Sequence, residues 1–360
     1  MMNNIKGEDA VLSELAALYE SRGYKRYRPG CFEDYSLYLE NIDFLISKNV
    51  ITFSGAEGRL LALRPDVTLS IISHAQYDDD TQKLFYTEKV YRRPEDGGEF
   101  CDINQTGVEV IGAIDEACEA EVVTLILKTL STVSGDYLLD ISHMGYTEGL
   151  VSSFGLSADK KDLVYSYLRS KNVHDFMSFA NANNLDEKAA EAFKEIVSIN
   201  GDTDEAIKRA KDCVINSSMT EAVEELERLI EIIGELGYKD RINVNFSIAN
   251  NADYYNGIIF NGYVGGIPRR VLSGGRYDKL LRKMGKKGGA IGFALYLGEL
   301  ERYFKPDGNF VDVLILYDNN SQYKALIQSE KFLKEGCSVR ISHNVPQGFR
   351  FGKTVDLREG

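Results

Sequence analysis

The stretch from Lys83 to Gly112, KLFYTEKVYRRPEDGGEFCDINQTGVEVIG, constrains the fold more than any other part of the chain. Two extended segments, Phe85 to Tyr91 and Asp102 to Ile111, flank a polar, glycine-bearing loop at 94–99, so the stretch reads as a β-hairpin. Side chains two apart share a strand face. Gln105, Gly107 and Glu109 therefore point one way, and Thr106, Val108 and Val110 the other. One face is core. The other carries an amide and a carboxylate about 13 Å apart, with a gap free of side chains between them. That gap suits a small ligand carrying N–H donors. A half-buried strand with a solvated polar face is the simpler account of these residues alone.

At 360 residues the chain calls for two or three domains. With 44% apolar and 27% charged residues the composition is globular, and a sizeable core is available. The formal charge of −13 argues against a surface that tracks phosphates, so no nucleic-acid partner is expected. Five cysteines, none in Cys-x-x-Cys spacing, point to reduced, mostly buried thiols in a cytoplasmic protein. The start, MMNNIKGEDA, has no apolar core of a signal peptide, and no apolar run approaches spanning length, so no membrane partner is expected either.

Along the chain, Asp9 to Arg22 has helical spacing. Tyr24–Tyr27, Phe44–Phe53 and Leu60–Leu63 read as strands, and Pro65 fits the first turn of a helix running to Ala75. A helix at about 115–134 and a strand at 137–141 follow the hairpin. From Gly145 to Lys239 the texture is helical and rich in Lys and Glu, with a stripe of Val223, Leu226, Ile230 and Ile233 capped by Thr220. Strands return at 242–248 and 257–264, then a helix from Tyr277 and a long helix through Arg302. A strand, helix and strand at 311–341 make a small α/β unit that stops early.

GFRFGKT at 348–354 imitates a phosphate-binding loop but has three residues between its glycines where four are needed. The four histidines have no spacing that suggests a metal. A set of polar residues at strand ends carries more: Arg64, Asp66 and Thr68, then Arg92, Gln105 and Glu109, then Tyr254 and Tyr255, then Arg276 and Tyr277. An arginine grips a carboxylate, acids and amides suit an ammonium and an imidazole N–H, and tyrosines supply flat walls with polar tips. Together they describe a pocket for an amino acid with a flat polar side chain. Each alone has a mundane role as a cap, an ion pair or a core aromatic.

RPDVT, FYTEKVYRR, QTGVEVIG, ADYYNG, SGGRYDKLL and GGAIGFAL occur in this order. The series resembles the motifs of histidyl-tRNA synthetases over residues 8–303. The resemblance implies an α+β fold with a class II aminoacyl-tRNA-synthetase-like core at 1–144 and 240–305, an antiparallel sheet flanked by helices. It implies a helical insertion at 145–239, and at 306–360 a short α/β segment, about half the expected length, like the start of an anticodon-binding domain. It implies a homodimer formed through the first motif near Pro29. It puts histidine's amine near Asp66, Thr68 and Gln105 and its ring near Glu109, Tyr255 and Tyr277, with Tyr254 in the wall and Arg92 free to hold the carboxylate.

The departures bear on function. The synthetases carry an arginine before the paired tyrosines, where this chain has Asn250, and a phosphate-binding arginine in the third motif, where this chain has Glu299. Arg302 lies one helical turn beyond. The second-motif loop carries Glu95, Asp96 and Glu99 where ATP prefers cations. Losing one donor to a transition-state charge costs roughly 3–4 kcal/mol. This combination is similar to the regulatory subunits of ATP phosphoribosyltransferase, partners of the short catalytic subunit in the first step of histidine biosynthesis. The resemblance implies a non-catalytic subunit with no cofactor and no metal, in a hetero-oligomer with the catalytic chain, and with histidine as effector. Two alternatives stay open: an active histidyl-tRNA synthetase with a divergent ATP site, and a histidine-sensing paralogue serving another enzyme.

Overall fold

The hairpin forms as its alternation requires, and the sheet is built outward from it. The computed structural model describes residues 7–45, 48–75, 81–93, 98–248, 254–300, 304 and 310–358. Glu95, Asp96, Asn250 and Arg302 lie outside the described residues. Helix α1 (Glu8–Ser21) and strand β1 (Lys25–Arg26) come first. A small sheet follows, from β2 (Phe32–Asp34), β3 (Thr52–Ser54) and β4 (Leu60–Leu63), with α2 (Tyr35–Glu40) between β2 and β3. Helix α3 (Val67–His74) leads into the hairpin strands β5 (Gln82–Arg92) and β6 (Cys101–Gly112). Helix α4 (Glu116–Val133) and strand β7 (Tyr137–His143) complete the first part.

Six helices are then inserted: α5 (Met144–Ser153), α6 (Ala158–Ser170), α7 (Val173–Ala182), α8 (Glu187–Ser198), α9 (Thr203–Asp212) and α10 (Ser217–Glu235). A two-residue strand, β8 (Asn200–Gly201), sits between α8 and α9. The chain returns through β9 (Ile242–Asn245), β10 (Ile258–Val264), β11 (Leu272–Arg276), α11 (Asp278–Lys283), β12 (Gly289–Tyr296) and α12 (Leu297–Leu300). The large sheet has the order β1-β5-β6-β12-β11-β10-β7-β9-β8. Its centre, from β5 to β7, is antiparallel, and only the β1–β5 and β7–β9 pairs are parallel.

One face of the central strands is covered by α1 and α4. Tyr19 of α1 lies 5.6 Å from the Phe85 ring and 6.3 Å from Phe293, and its hydroxyl meets Thr129 Oγ1 of α4 at 2.9 Å. Val108 sits between Phe85 and Phe293 in the register. Burying each such side chain contributes about 1.5–3 kcal/mol. The opposite face carries Gln105 and Glu109, and it too is buried. The solvated polar face that would explain the alternation most simply is therefore absent.

Several local expectations change. Phe44 ends a short 3-10 turn (Ile42–Phe44) and enters the core, so the strand expected from it begins only at Thr52. Pro65 precedes the helix: Asp66 is the cap, with its Oδ1 accepting from Leu69 N–H at 2.8 Å. Asn216, not Thr220, caps α10, accepting from Met219 N–H at 3.0 Å. The long helix through Arg302 gives way to β12, whose small and large residues alternate in a central strand position. Among the cysteines, Cys31 and Cys101 are exposed and the other three half-buried.

Residues 303–360 belong to a second compact unit. Strand β13 (Phe310–Leu316), helix α13 (Gln322–Lys334), β14 (Val339–Ser342) and β15 (Arg350–Asp356) form a parallel sheet in the order β14-β13-β15. Val313, Ile315 and Ala325 make its core. The phosphate-loop look-alike at 348–354 runs into this last strand. Among the described residues no helix is long and apolar enough to cross a membrane.

Candidate functional site

A cavity of about 570 Å³ opens on the sheet face opposite α1 and α4. Its floor comes from four adjacent strands, β5, β6, β12 and β11. Asp66, Thr68, Arg92, Gln105, Glu109, Tyr254, Tyr255 and Tyr277 all line it, so the structure brings together every residue named for the site. Arg64 and Arg276, named beside them as strand-end residues, do not. Arg64 is wholly buried and stitches the loop before β2 to β5: it donates to Pro29 O at 3.1 Å, Gly30 O, Glu88 Oε2 at 3.0 Å and Lys89 O at 2.8 Å. Arg276 is held by Asp278 at 2.9 Å and Glu119 at 3.0 Å.

Glu109 is the chemical centre of the cavity. It is 2% exposed. Thr68 Oγ1 donates to its Oε1 at 2.5 Å, and Tyr277 OH donates to its Oε2. Burial pushes its carboxyl up to about 8, against the two hydroxyls that pull it down. Glu109 faces Gly292 across the β6–β12 pair. A Cβ at Gly292 would lie 1.8 Å from Glu109 Oε2, so only glycine leaves room for this carboxylate.

Asp66 is raised by its surroundings too. Burial dominates, and the Leu69 N–H followed by the charges of Arg92 and Arg64 work against it. Arg92 is itself 5% exposed, at the end of β5. The aromatic wall is continuous: Tyr254 lies 4.6 Å from Tyr255, 5.4 Å from Tyr277 and 6.0 Å from Phe44.

The gap expected over Gly107 is filled. Tyr86 pairs with Gly107 in the hairpin register, and its hydroxyl would lie 2.8 Å from a Cβ there. Gln105 Nε2 approaches that hydroxyl at 3.4 Å. Alternation along one strand alone does not reveal Tyr86; only the pairing of β5 with β6 sets it over Gly107. Arg169, Arg270, Ser273 and Tyr296 also line the cavity and were not anticipated.

The site holds two acids, an amide and tyrosines packed edge-on and tilted against one another, suited to an ammonium and a flat polar ring. Residues 3–300 match the histidyl-tRNA synthetase family model. The chain is 32% identical over 355 residues to an ATP phosphoribosyltransferase regulatory subunit from Caldanaerobacter subterraneus subsp. tengcongensis, covering 95% of this chain and 90% of that one. The chain belongs to the ATP phosphoribosyltransferase regulatory subunit family. Its fold is that of the class II synthetases. A solved structure described as a regulatory subunit/histidyl-tRNA synthetase from Bacillus halodurans superposes with a TM-score of 0.81 at 21% identity, over 97% of this chain and 93% of that one. A chain from an ATP phosphoribosyl transferase complex of Thermotoga maritima superposes with a TM-score of 0.63 at 16% identity, over 80% and 97%.

Glu299, the residue that the motif resemblance sets in place of a phosphate-binding arginine, lies on α12 and forms an ion pair with Arg269 at 3.9 Å. It is not part of the cavity lining.

Proposed function

We propose that this regulatory subunit binds free histidine in the cavity and passes its presence to a short catalytic subunit, which performs the first step of histidine biosynthesis in the cytoplasm. Asp66, Thr68 and Gln105 would receive the amine, and Glu109, Tyr255 and Tyr277 the ring. Tyr254 backs the wall, and Arg92, in the lining beside Asp66, would hold the carboxylate. The carrying observation is Glu109: a buried carboxyl at about 8, framed by two hydroxyls, at the base of an aromatic-walled cavity. A buried acid near neutrality is costly, and such groups cluster at functional sites. An imidazole N–H offers it a donor in place of water. Inhibition follows if histidine binds one arrangement of the complex better than the other. Adding this chain to a purified short catalytic subunit is expected to raise ATP phosphoribosyltransferase activity, and histidine is expected to suppress the gain. A catalytic subunit indifferent to the chain would refute the assignment.

The chain is also proposed to form a homodimer through its first motif. The small sheet β2-β4-β3 supports this reading, because it presents Phe32 at 55% exposure beside Phe53 and Leu60, with the Phe32 and Phe53 rings 5.7 Å apart. Clustered exposed aromatics mark an interface. The double substitution Phe32→Asp, Leu60→Asp is expected to halve the mass measured by sedimentation. An unchanged mass would place the dimer contact elsewhere.

A further inference from the structure

The motifs around the tyrosine wall hold three polar residues that do not line the cavity: Asn256 after the paired tyrosines, and Arg276 and Asp278 on either side of Tyr277. Their side chains meet at Asp278, which is 7% exposed. Asp278 Oδ1 accepts from Ala290 N–H at 2.9 Å. Its Oδ2 accepts from Arg276 Nε at 2.9 Å and from Asn256 Nδ2 at 3.1 Å. Arg276 reaches on to Glu119 of α4 at 3.0 Å. One carboxylate thus joins the end of β11, the start of β12 and the segment that carries Tyr254 and Tyr255. Asn256 is matched to this place at both ends of its amide. Its Oδ1 accepts from Lys279 N–H at 3.3 Å while its Nδ2 donates to Asp278, and its own N–H donates to Arg276 O at 3.0 Å. An amide offers a donor and an acceptor on one short planar group, whereas a carboxylate there would only accept and would face the carboxylate of Asp278.

The neighbouring residues interlock as well. A Cβ at Gly275 would lie 2.8 Å from Tyr255 Cδ1, and a Cβ at Gly257 would lie 2.8 Å from Arg276 Cδ. The Tyr255 ring therefore rests on the backbone of Gly275, and the Arg276 stem on that of Gly257. Gly257 O accepts from Met144 N–H at 2.8 Å, which fixes the far end of the segment. We propose that Asn256 is a positioning residue: it latches the segment 254–257 onto Asp278 and so sets the place of the Tyr255 ring in the cavity wall, without touching the ligand. The inference rests on reading the cavity as an amino-acid site. A tyrosine turns about only two side-chain bonds, so where its hydroxyl lies follows closely from where its backbone lies. A hydrogen bond keeps its strength over a range of about half an ångström. A wall that shifts by more than this stops selecting a flat polar ring, although each lining residue is still present.

Calorimetric titration of the full chain with histidine, run as a double-mutant cycle, tests this. Asn256→Ala is expected to weaken binding about tenfold, and Asn256→Asp at least as much, because the new carboxylate faces Asp278. With the Tyr255 hydroxyl already removed by Tyr255→Phe, the further loss from Asn256→Ala should shrink to about twofold or less. With the amine contact weakened by Gln105→Ala, the further loss should stay at about tenfold. Urea midpoints of the Asn256 variants should stay close to that of the natural chain. A loss of the same size in all three backgrounds, unchanged binding in Asn256→Ala, or Asn256 variants that no longer fold would overturn the positioning role and leave the amino-acid site standing. A natural chain that does not bind histidine would overturn the amino-acid reading itself.

Discussion

Glu109→Ala is expected to lower the affinity for histidine about a hundredfold or more. Removing one partner of a buried, hydrogen-bonded charged contact costs about 2–5 kcal/mol, and part of that cost is the donors left behind. Here the stranded donors are the hydroxyls of Thr68 and Tyr277 as well as the ligand's ring N–H. Glu109→Gln keeps an acceptor for one of them and should lose less. Calorimetry of both variants, with circular dichroism as a check on folding, measures the difference. Affinity within a few-fold of the natural chain in Glu109→Ala would remove this residue from the site.

The second large effect is on stability against pH. The Glu109 carboxyl sits at about 8 in the folded chain and in the ordinary carboxylate range when unfolded. Between those limits the folded chain holds the extra proton. Unfolding free energy therefore falls as pH rises, by roughly 1 kcal/mol per pH unit from this group. Below the window the group contributes no cost; above about 8 the full cost of a buried charge is present. Urea midpoints of the ligand-free chain should decline from pH 5 to 8, and Glu109→Gln should flatten that decline. A variant with the same slope as the natural chain would show that Glu109 ionises normally in the fold.

Much of this site was legible in the sequence because it lies on regular elements. Strand alternation placed Gln105 and Glu109 on one face, and an acid before a helical run placed Asp66 at a cap. The order of motifs supplied the rest of the core. What stayed hidden depends on contacts between distant segments. Arg64 carries the same strand-end signature as Arg92, yet its acceptors are backbone carbonyls and the Glu88 carboxylate, 24 to 35 residues away, which spacing does not reveal. Arg169 looks like any exposed helical cation until α6 is set beside the sheet. Strand β12 has the composition of a helix, since its glycines and alanines lack β propensity; hydrogen-bonded pairing along both edges, with β11 and β6, supplies the stabilisation instead.

Central to the account is a scaffold that recognises histidine without activating it. Histidine-dependent exchange of pyrophosphate into ATP, measured on protein already shown to bind histidine, tests this most directly. Exchange at background level is expected; clear exchange that rises with histidine would contradict a scaffold that recognises the amino acid without activating it.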